Sequence, residues 1–498
     1  MSSTNEPGAS LRHADRFFIG GEWVAPSSDA RIDVIDSGTE EVFLSVAEAR
    51  AEDISRAAAA AREAFDHGPW PRMSVGERAG HLSRFAEELE RRYEDLVAIC
   101  MAETGSTRML ADFLQVGTPV EHFRDLVSRV LPRFDFDEPM LPYDKPGMGV
   151  GQGIVTKEPI GVAALITPFN FPLFLNMCKL GPALAAGCTA VLKPSPNTPL
   201  EAFVLGEIAQ AAGLPPGVLN IVTGDAEASE YLTRHPMVDI VSFTGSDAVG
   251  RRVYTQAAES LKKVVLELGG KSANVIMADA DLDAVAEQVV RNMTAHAGQG
   301  CSLLTRTIVH RSVHDALVAR VVDQLGSVTV GDHSDPAVTM GPLISAVQRA
   351  RVEALIARGR QEGATVAFGG GRPDGLDVGY FVEPTLFIGV DNAMTIARQE
   401  IFGPVGVVIP FETEDEAIGI ANDSDYGLGG GVWSADTSKA IAIARRLATG
   451  YVDVNGGGPY LSPHGPFGGR KHSGIGREWG DQGLSEYLEH KTIHWMVR

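Results

Sequence analysis

Three residue types able to attack, deprotonate and polarise a carbonyl group stand in tightly turned segments of this 498-residue chain. Cys301 ends Gly298-Gln299-Gly300-Cys301. Flanking glycines let backbone approach a ligand closely, and a thiolate is a strong nucleophile even when only a few per cent is ionised. Glu267 closes an apolar strand in Leu266-Glu267-Leu268-Gly269-Gly270-Lys271. Partial burial there would raise its pKa and suit it to deprotonate water or a thiol. Asn170 lies in Thr167-Pro168-Phe169-Asn170-Phe171-Pro172, where two prolines stiffen the loop and could hold its amide toward an oxyanion. Taken singly, each has an ordinary explanation: a buried cysteine, an ion pair with Lys271 or an arginine, a turn residue.

Two further segments have the form of phosphate and ribose contacts. Phe243-Thr244-Gly245-Ser246 follows an apolar run and opens a helical one, with Gly250 a turn later. Helix N-termini present unpaired N–H groups to anions, and Ser246 could cap the helix and touch a phosphate. The spacing is not G-x-G-x-x-G, so this segment alone says little. Lys193-Pro194-Ser195-Pro196 ends another apolar run, from which the lysine could reach a ribose.

The elements that must position these residues follow from hydrophobic period. Residues 17–24 read as a hairpin turning at Gly20-Gly21, followed by helices over 53–65 and 75–104. A proline-rich stretch, 131–147, reads as an arm leaving the body. Apolar strands at 161–166, 190–193, 218–222, 238–243 and 263–268 alternate with helices, the pattern of a parallel dinucleotide-binding sheet. A second series at 272–277, 305–310, 385–390, 406–411, 428–433 and 451–455 predicts a separate catalytic sheet, with a helix over 281–296 leading into Cys301. Residues 484–497 read as extended and able to pair with the arm in a neighbouring subunit.

Bulk properties narrow the function. A chain with 44% hydrophobic residues, net charge −21 and pI near 5.1 can fill two or three cores and would be repelled by polyphosphates and anionic bilayers. Cys100, Cys178, Cys188 and Cys301 form no metal-ligand ladder, which suits a reducing cytoplasm, and residues 1–16 lack the character of a secretory or transit signal. No run reaches the roughly 18 to 20 apolar residues that span a bilayer.

In their order, TPFNFP, KPSP, FTGS, LELGGK, GQGC, EIFGP (400–404) and PFGGRKHSG (466–474) resemble the aldehyde dehydrogenase superfamily from about Phe17 to His494, and the 34-residue separation of Glu267 and Cys301 fits its pattern. The resemblance implies an α/β fold: a Rossmann-like cofactor domain (1–130 and 158–267), an α/β catalytic domain (268–475) and a small β bridging, oligomerising element (131–157 and 476–498) that joins homodimers or homotetramers. It implies that Cys301 attacks an aldehyde, that Asn170 and the Cys301 N–H hold the oxyanion, that hydride passes to a nicotinamide and that Glu267 activates the hydrolytic water. Lys179 would influence the thiol's charge. For the cofactor it implies Ile166, Thr167, Pro168, Lys193, Ser195, Pro196, Gly224, Phe243, Thr244, Gly245, Ser246, Leu268 and Gly269, with Glu400 on the nicotinamide ribose and Phe402 beside the ring.

Two departures from the family pattern matter. Pro196 stands where many NAD-preferring members carry a ribose-gripping glutamate, which leaves NAD leading but NADP open. Cys178 stands where an aromatic is frequent, which reshapes the substrate tunnel. The expected wall comprises Phe171, Phe174, Leu175, Cys178, Ser302 and the loop 457–462 with Pro459 and Tyr460, without a fixed positive charge unless Arg306 supplies one. This favours uncharged aliphatic or aromatic aldehydes. The rivals are a CoA-acylating relative, which generally lacks the glutamate matched by Glu267, and a retired enzyme serving as a binding or structural protein. No metal is expected.

Overall fold

A computed structural model describes residues 11–457 and 461–497. Its first sheet is built as expected. Five parallel strands, Val162–Ile166, Thr189–Lys193, Leu219–Ile221, Ile240–Thr244 and Lys263–Glu267, form its centre. Nearly every residue in them is buried, because helices cover both faces of a crossover-connected sheet. The hairpin Phe17–Ile19 and Glu22–Val24 closes one edge and Gly474–Ile475 pairs antiparallel with Lys263–Glu267 at the other. From Val162–Ile166 the chain first adds strands to one side, then returns to add Ile240–Thr244 and Lys263–Glu267 on the other. The order therefore reverses between Val162–Ile166 and Ile240–Thr244, and crevices at such switch points, outside the strand C-termini, bind ligands.

The second sheet contains Ala273–Ile276, Arg306–His310, Val405–Phe411, Thr385–Ile388, Gly430–Trp433 and Asp453–Val454 in parallel, with Thr365–Phe368 antiparallel on one edge. Where the chain crosses from one sheet to the other, buried Ser473 fastens it: its carbonyl accepts from Leu268 N (3.0 Å) and its hydroxyl donates to the Gly269 carbonyl (2.7 Å).

Several boundaries differ from expectation. The predicted single helix over 75–104 is two, Val75–Arg91 and Tyr93–Thr104, broken at Arg92, whose φ −96° and ψ 13° leave the helical range. Apolar spacing continues across that break, which is why period alone missed it. The hairpin Arg31–Ile35 with Val42–Ala47 went unforeseen; only Val34, Val46 and Ala47 in it are fully buried. The helical region persists through two π-helical stretches, Ala111–Gly117 and Leu126–Val130, to Arg133 before the arm begins. The C-terminal stretch opens with a helix, Gly480–Ser485, and its strand Leu488–Val497 pairs antiparallel along its whole length with Gly149–Pro159 of the same chain rather than with a neighbour's arm. That strand is the edge of its sheet, so one row of its backbone groups is paired on the arm and the other faces outward.

Candidate active site

Glu267, Asn170 and Cys301 come together where the two sheets meet. Glu267 ends its strand beside Thr244, and its carboxylate is buried with no side-chain hydrogen-bond partner, facing the Gly469 backbone N–H. Leaving such a group unpaired is costly in the charged form. Burial, then nearby Glu478, push its pKa well up, while Lys179 and Arg477 act in the opposite direction. The turn that follows brings Gly270 against Cys301: a Cβ at position 270 would stand 2.6 Å from the Cys301 carbonyl oxygen. Only glycine permits that approach.

Cys301 is reached by a strained path. The helix Leu282–Thr294 stops, and His296, Ala297 and Gly298 take φ of 49°, 51° and 73°. Left-handed backbone costs on the order of 1–2 kcal/mol at each non-glycine residue, so the surroundings must hold it there. They do so from four sides. The Gln299 N–H and side-chain amide both donate to the His296 carbonyl (3.0 and 3.1 Å). Gln299 Oε1 accepts from Ile344 N (3.0 Å). Gly298 abuts the Gly403 carbonyl so closely that a Cβ would lie 2.1 Å from it. Asn170 Nδ2 donates to the Gln299 carbonyl (2.9 Å), which ties the amide to the loop two residues before the thiol and leaves its second N–H for another acceptor. The thiol itself is partly accessible, yet densely surrounded. Burial, then the charges of Glu267, Glu400 and Glu478, push its pKa up.

Lys179 is fully buried and bound to Glu478 Oε1 (2.6 Å) and Ser242 Oγ (3.2 Å). Its charge is thus held by Glu478, a residue that nothing in the sequence singled out.

The cofactor candidates line the strand C-termini. Ile166 sits beside Lys193 in the sheet. Thr167 N donates to the Lys193 carbonyl (3.3 Å) and Thr167 Oγ1 to Asn176 (2.7 Å), with Pro168 half-buried next to it. The Lys193 ammonium donates to the Pro194 and Gly224 carbonyls (2.8 and 2.7 Å), and burial lowers its pKa to about 8. A third N–H remains for a ligand. Ser195 Oγ accepts from Asn197 N (3.2 Å), and Pro196 is half-buried. Phe243, Thr244 and Gly245 lead into the helix Asp247–Ala258, which Ser246 caps by accepting from Val249 N (3.4 Å). Thr244 Oγ1 is buried without a partner. Leu268 packs over Gly250 of that helix, and Gly269 adjoins Glu400, whose Oε1 accepts from Gly270 N (3.1 Å) and whose pKa burial raises to about 7. Phe402, in left-handed backbone at φ 57°, stands edge-to-face on Phe169 with ring centroids 5.8 Å apart.

The tunnel residues Phe174, Leu175 and Cys178 form one apolar cluster with Phe171, Leu461 and Trp479. Leu461 belongs to the expected wall loop 457–462, whereas Trp479 was not anticipated. Trp479 Nε1 donates to Cys178 Sγ (2.9 Å) and its ring meets Phe174 edge-on at 5.7 Å, so an indole from distant sequence fills part of the space a smaller residue at 178 leaves. His122 packs edge-on against Trp479 and shares a 3.0 Å hydrogen bond with the Leu461 carbonyl. A solvent-open cavity beyond it is lined by Tyr93, Asp112, Glu121, His122, Leu461 and Ser462. The Ser302 carbonyl accepts from Tyr451 OH (2.9 Å). Pro459 and Tyr460 lie outside the described residues. Arg306 is no clamp for substrate: it is buried and donates to Asn392, Ile420 O and Ala421 O. Among the described residues there is no cluster able to hold a metal and no helix long and apolar enough to cross a membrane.

The fold and this convergence define an α/β protein that sets a thiol, a carboxylate and an amide at the mouth of a parallel nucleotide-binding sheet. The family model described as "Aldehyde dehydrogenase family" matches residues 23–493. Geranial dehydrogenase of Castellaniella defragrans is 42% identical over 477 residues, covering 96% of this chain and 98% of that protein. An aldehyde dehydrogenase of Mycobacterium tuberculosis solved with NAD+ superposes with a TM-score of 0.91 at 44% identity, covering 97% of this chain and 98% of that one. A cysteine-to-alanine mutant of aldehyde dehydrogenase C from Pseudomonas syringae, solved with NAD+ and octanal, gives 0.90 at 40% identity over 97% of each chain. The chain belongs to the aldehyde dehydrogenase family, as its ordered motifs implied.

Proposed function

We propose that this protein oxidises an uncharged, predominantly apolar aldehyde to its carboxylic acid with NAD+, through a thioester on Cys301. The observation that carries the reading is the buried carboxylate of Glu267, which no side chain pairs, beside the nucleophile loop. Its place beside the thiol, with its pKa raised by burial, suits it to take a proton from water or a thiol.

In this reading the Cys301 sulfur attacks the carbonyl carbon, and the free N–H of Asn170 with the Cys301 backbone N–H holds the oxyanion, each such donor being worth roughly 100- to 1,000-fold in rate. Bound NAD+ supplies the hydride acceptor. Glu267 then takes a proton from water, whose oxygen attacks the thioester; the acid leaves and the thiol is restored. Because carboxylates surround the thiol, its ionisation waits on Glu267 accepting the proton or on a cationic ligand beside it. The residues fit a dinucleotide: Lys193 has a spare donor, Thr244 Oγ1 lacks a partner, and the helix capped by Ser246 aims its N-terminus at the crevice. Glu400 and Phe402 complete the nicotinamide side. Pro196 offers no carboxylate against a 2′-phosphate, so NADP is the secondary cofactor. The division into cofactor, catalytic and bridging parts, and assembly as a homodimer or homotetramer through the arm, belong to the same reading.

The apolar cluster of Phe171, Phe174, Leu175, Cys178, Leu461 and Trp479, and the engagement of Arg306 elsewhere, support an uncharged substrate. Relatives named for geranial and solved with octanal point the same way. The test is a panel of octanal, geranial, benzaldehyde and succinate semialdehyde with NAD+ and NADP+, scoring free acid, with and without CoA. Preference for succinate semialdehyde overturns the substrate class. Acyl-CoA as product overturns hydrolysis, and no turnover at all overturns the enzyme.

A further inference from the structure

We propose that Ser106 and His296 are positioning residues for the nucleophile loop, setting the placement of Cys301 and of the Asn170 amide from outside the reaction centre. This rests on the reading of Cys301 as nucleophile. Ser106 follows the helix Tyr93–Thr104 and is buried, and its hydroxyl shares a 3.2 Å hydrogen bond with His296 Nδ1 across 190 residues of sequence. The hydroxyl is itself fixed, because Gln115 Nε2 donates to it (2.5 Å) and the Thr104 hydroxyl bonds to it (2.7 Å). Gln115 Oε1 in turn accepts from Cys100 Sγ (3.1 Å).

This buried polar group ends on the first of three left-handed residues. His296 is the one member of the loop tied through its side chain to the helical region, and its ring also stands against Phe171 at 5.5 Å. From it the constraint runs along covalent and hydrogen-bonded neighbours: His296 O holds both donors of Gln299, and Gln299 O holds Asn170. Nucleophile and oxyanion donor therefore share one anchor. A neutral imidazole suits this task, since burial lowers its pKa to about 4 and no charge is brought near the thiol. Because His296 Nε2 is buried without a partner, the Nδ1–Ser106 bond carries the polar anchoring of this ring.

The test compares Ser106→Ala, His296→Leu and His296→Asn, the last of which can place an amide atom near the position of Nδ1. Three readouts are taken on the full-length protein: the rate of Cys301 alkylation by iodoacetamide, kcat and KM for octanal, and NAD+ affinity by fluorescence. We expect Ser106→Ala and His296→Leu to change the alkylation rate at least fivefold and to lower kcat at least tenfold, with NAD+ affinity within twofold. His296→Asn should restore both rates to within about threefold. A purely structural role would lower the melting temperature of all three while leaving alkylation and kcat within twofold, and that result overturns the proposal. Loss of NAD+ binding in step with kcat also overturns it. Should the wild type oxidise no aldehyde, the functional reading fails separately, and the alkylation rates still decide this one.

Discussion

Replacing Lys179 by methionine removes the cation of a buried pair and leaves Glu478 and Glu267 facing each other. Lys179 is fully buried, the Glu478 side chain is 5% exposed, and their 2.6 Å contact leaves no room for water. Removing one partner of such a pair costs about 3–5 kcal/mol, because the other charge is stranded. With an unfolding entropy of roughly 2 cal/mol/K per residue, that corresponds to a fall in Tm of about 3–5 °C for a chain of this size. The second change supplies the check: Lys179→Met with Glu478→Leu removes both charges, and apolar replacement of a whole buried pair is close to neutral, so most of the loss should return.

The pH profile gives an independent reading of the same perturbation. Glu478 pushes the Glu267 pKa up and Lys179 brings it down. A base acts deprotonated, so the rate of thioester hydrolysis rises with pH through that pKa. Lys179→Met therefore moves the acid limb to higher pH, and the double variant moves it back. The stability deficit of the single variant grows with pH as Glu267, whose pKa burial raises, becomes charged beside Glu478, and shrinks as Glu267 is protonated. Differential scanning calorimetry from pH 5.5 to 9 and single-turnover rates over the same range provide the data. A double variant no more stable than the single one, with an unmoved acid limb, refutes the electrostatic account of this cluster.

Glu267→Gln keeps shape and removes the base, so a burst of NADH should be followed by turnover roughly 100-fold slower or worse, with an acyl adduct on Cys301 by intact mass; unimpaired steady-state turnover rejects the assignment. Arg306→Leu should cost at least about 3 kcal/mol, because three charge-assisted bonds to Asn392, Ile420 and Ala421 are lost. The ratio of kcat/KM for octanal and succinate semialdehyde should stay within threefold in that variant, and a collapse of the ratio would return Arg306 to the tunnel. Glu103 and Glu201 are fully buried and adjacent, and burial pushes Glu103 up to about 8. A carboxyl whose folded pKa is raised contributes its stability below its unfolded value and loses it as pH climbs through the folded one. Tm should thus fall from pH 5 toward 9 and do so less steeply in Glu103→Gln; parallel curves for the two proteins would exclude this pair as the cause.

Sequence by itself determined the alternation of buried strands and helices, and the strand-end positions of Lys193, Thr244 and Glu267 that follow from it. It also determined the turn chemistry of the segments carrying Asn170 and Cys301. These are local properties, set by side-chain period, by proline and glycine, and by which residue ends an apolar run. Tertiary structure alone decided which distant groups meet. Lys179 finds Glu478 across 299 residues, Cys178 finds Trp479 across 301 and Ser106 finds His296 across 190. It also seated Leu488–Val497 on the arm of its own chain and spent Arg306 on carbonyls instead of substrate. The reason is physical: period specifies the face a side chain presents, whereas its partner depends on how separately folded layers pack, and no spacing in the chain encodes that geometry.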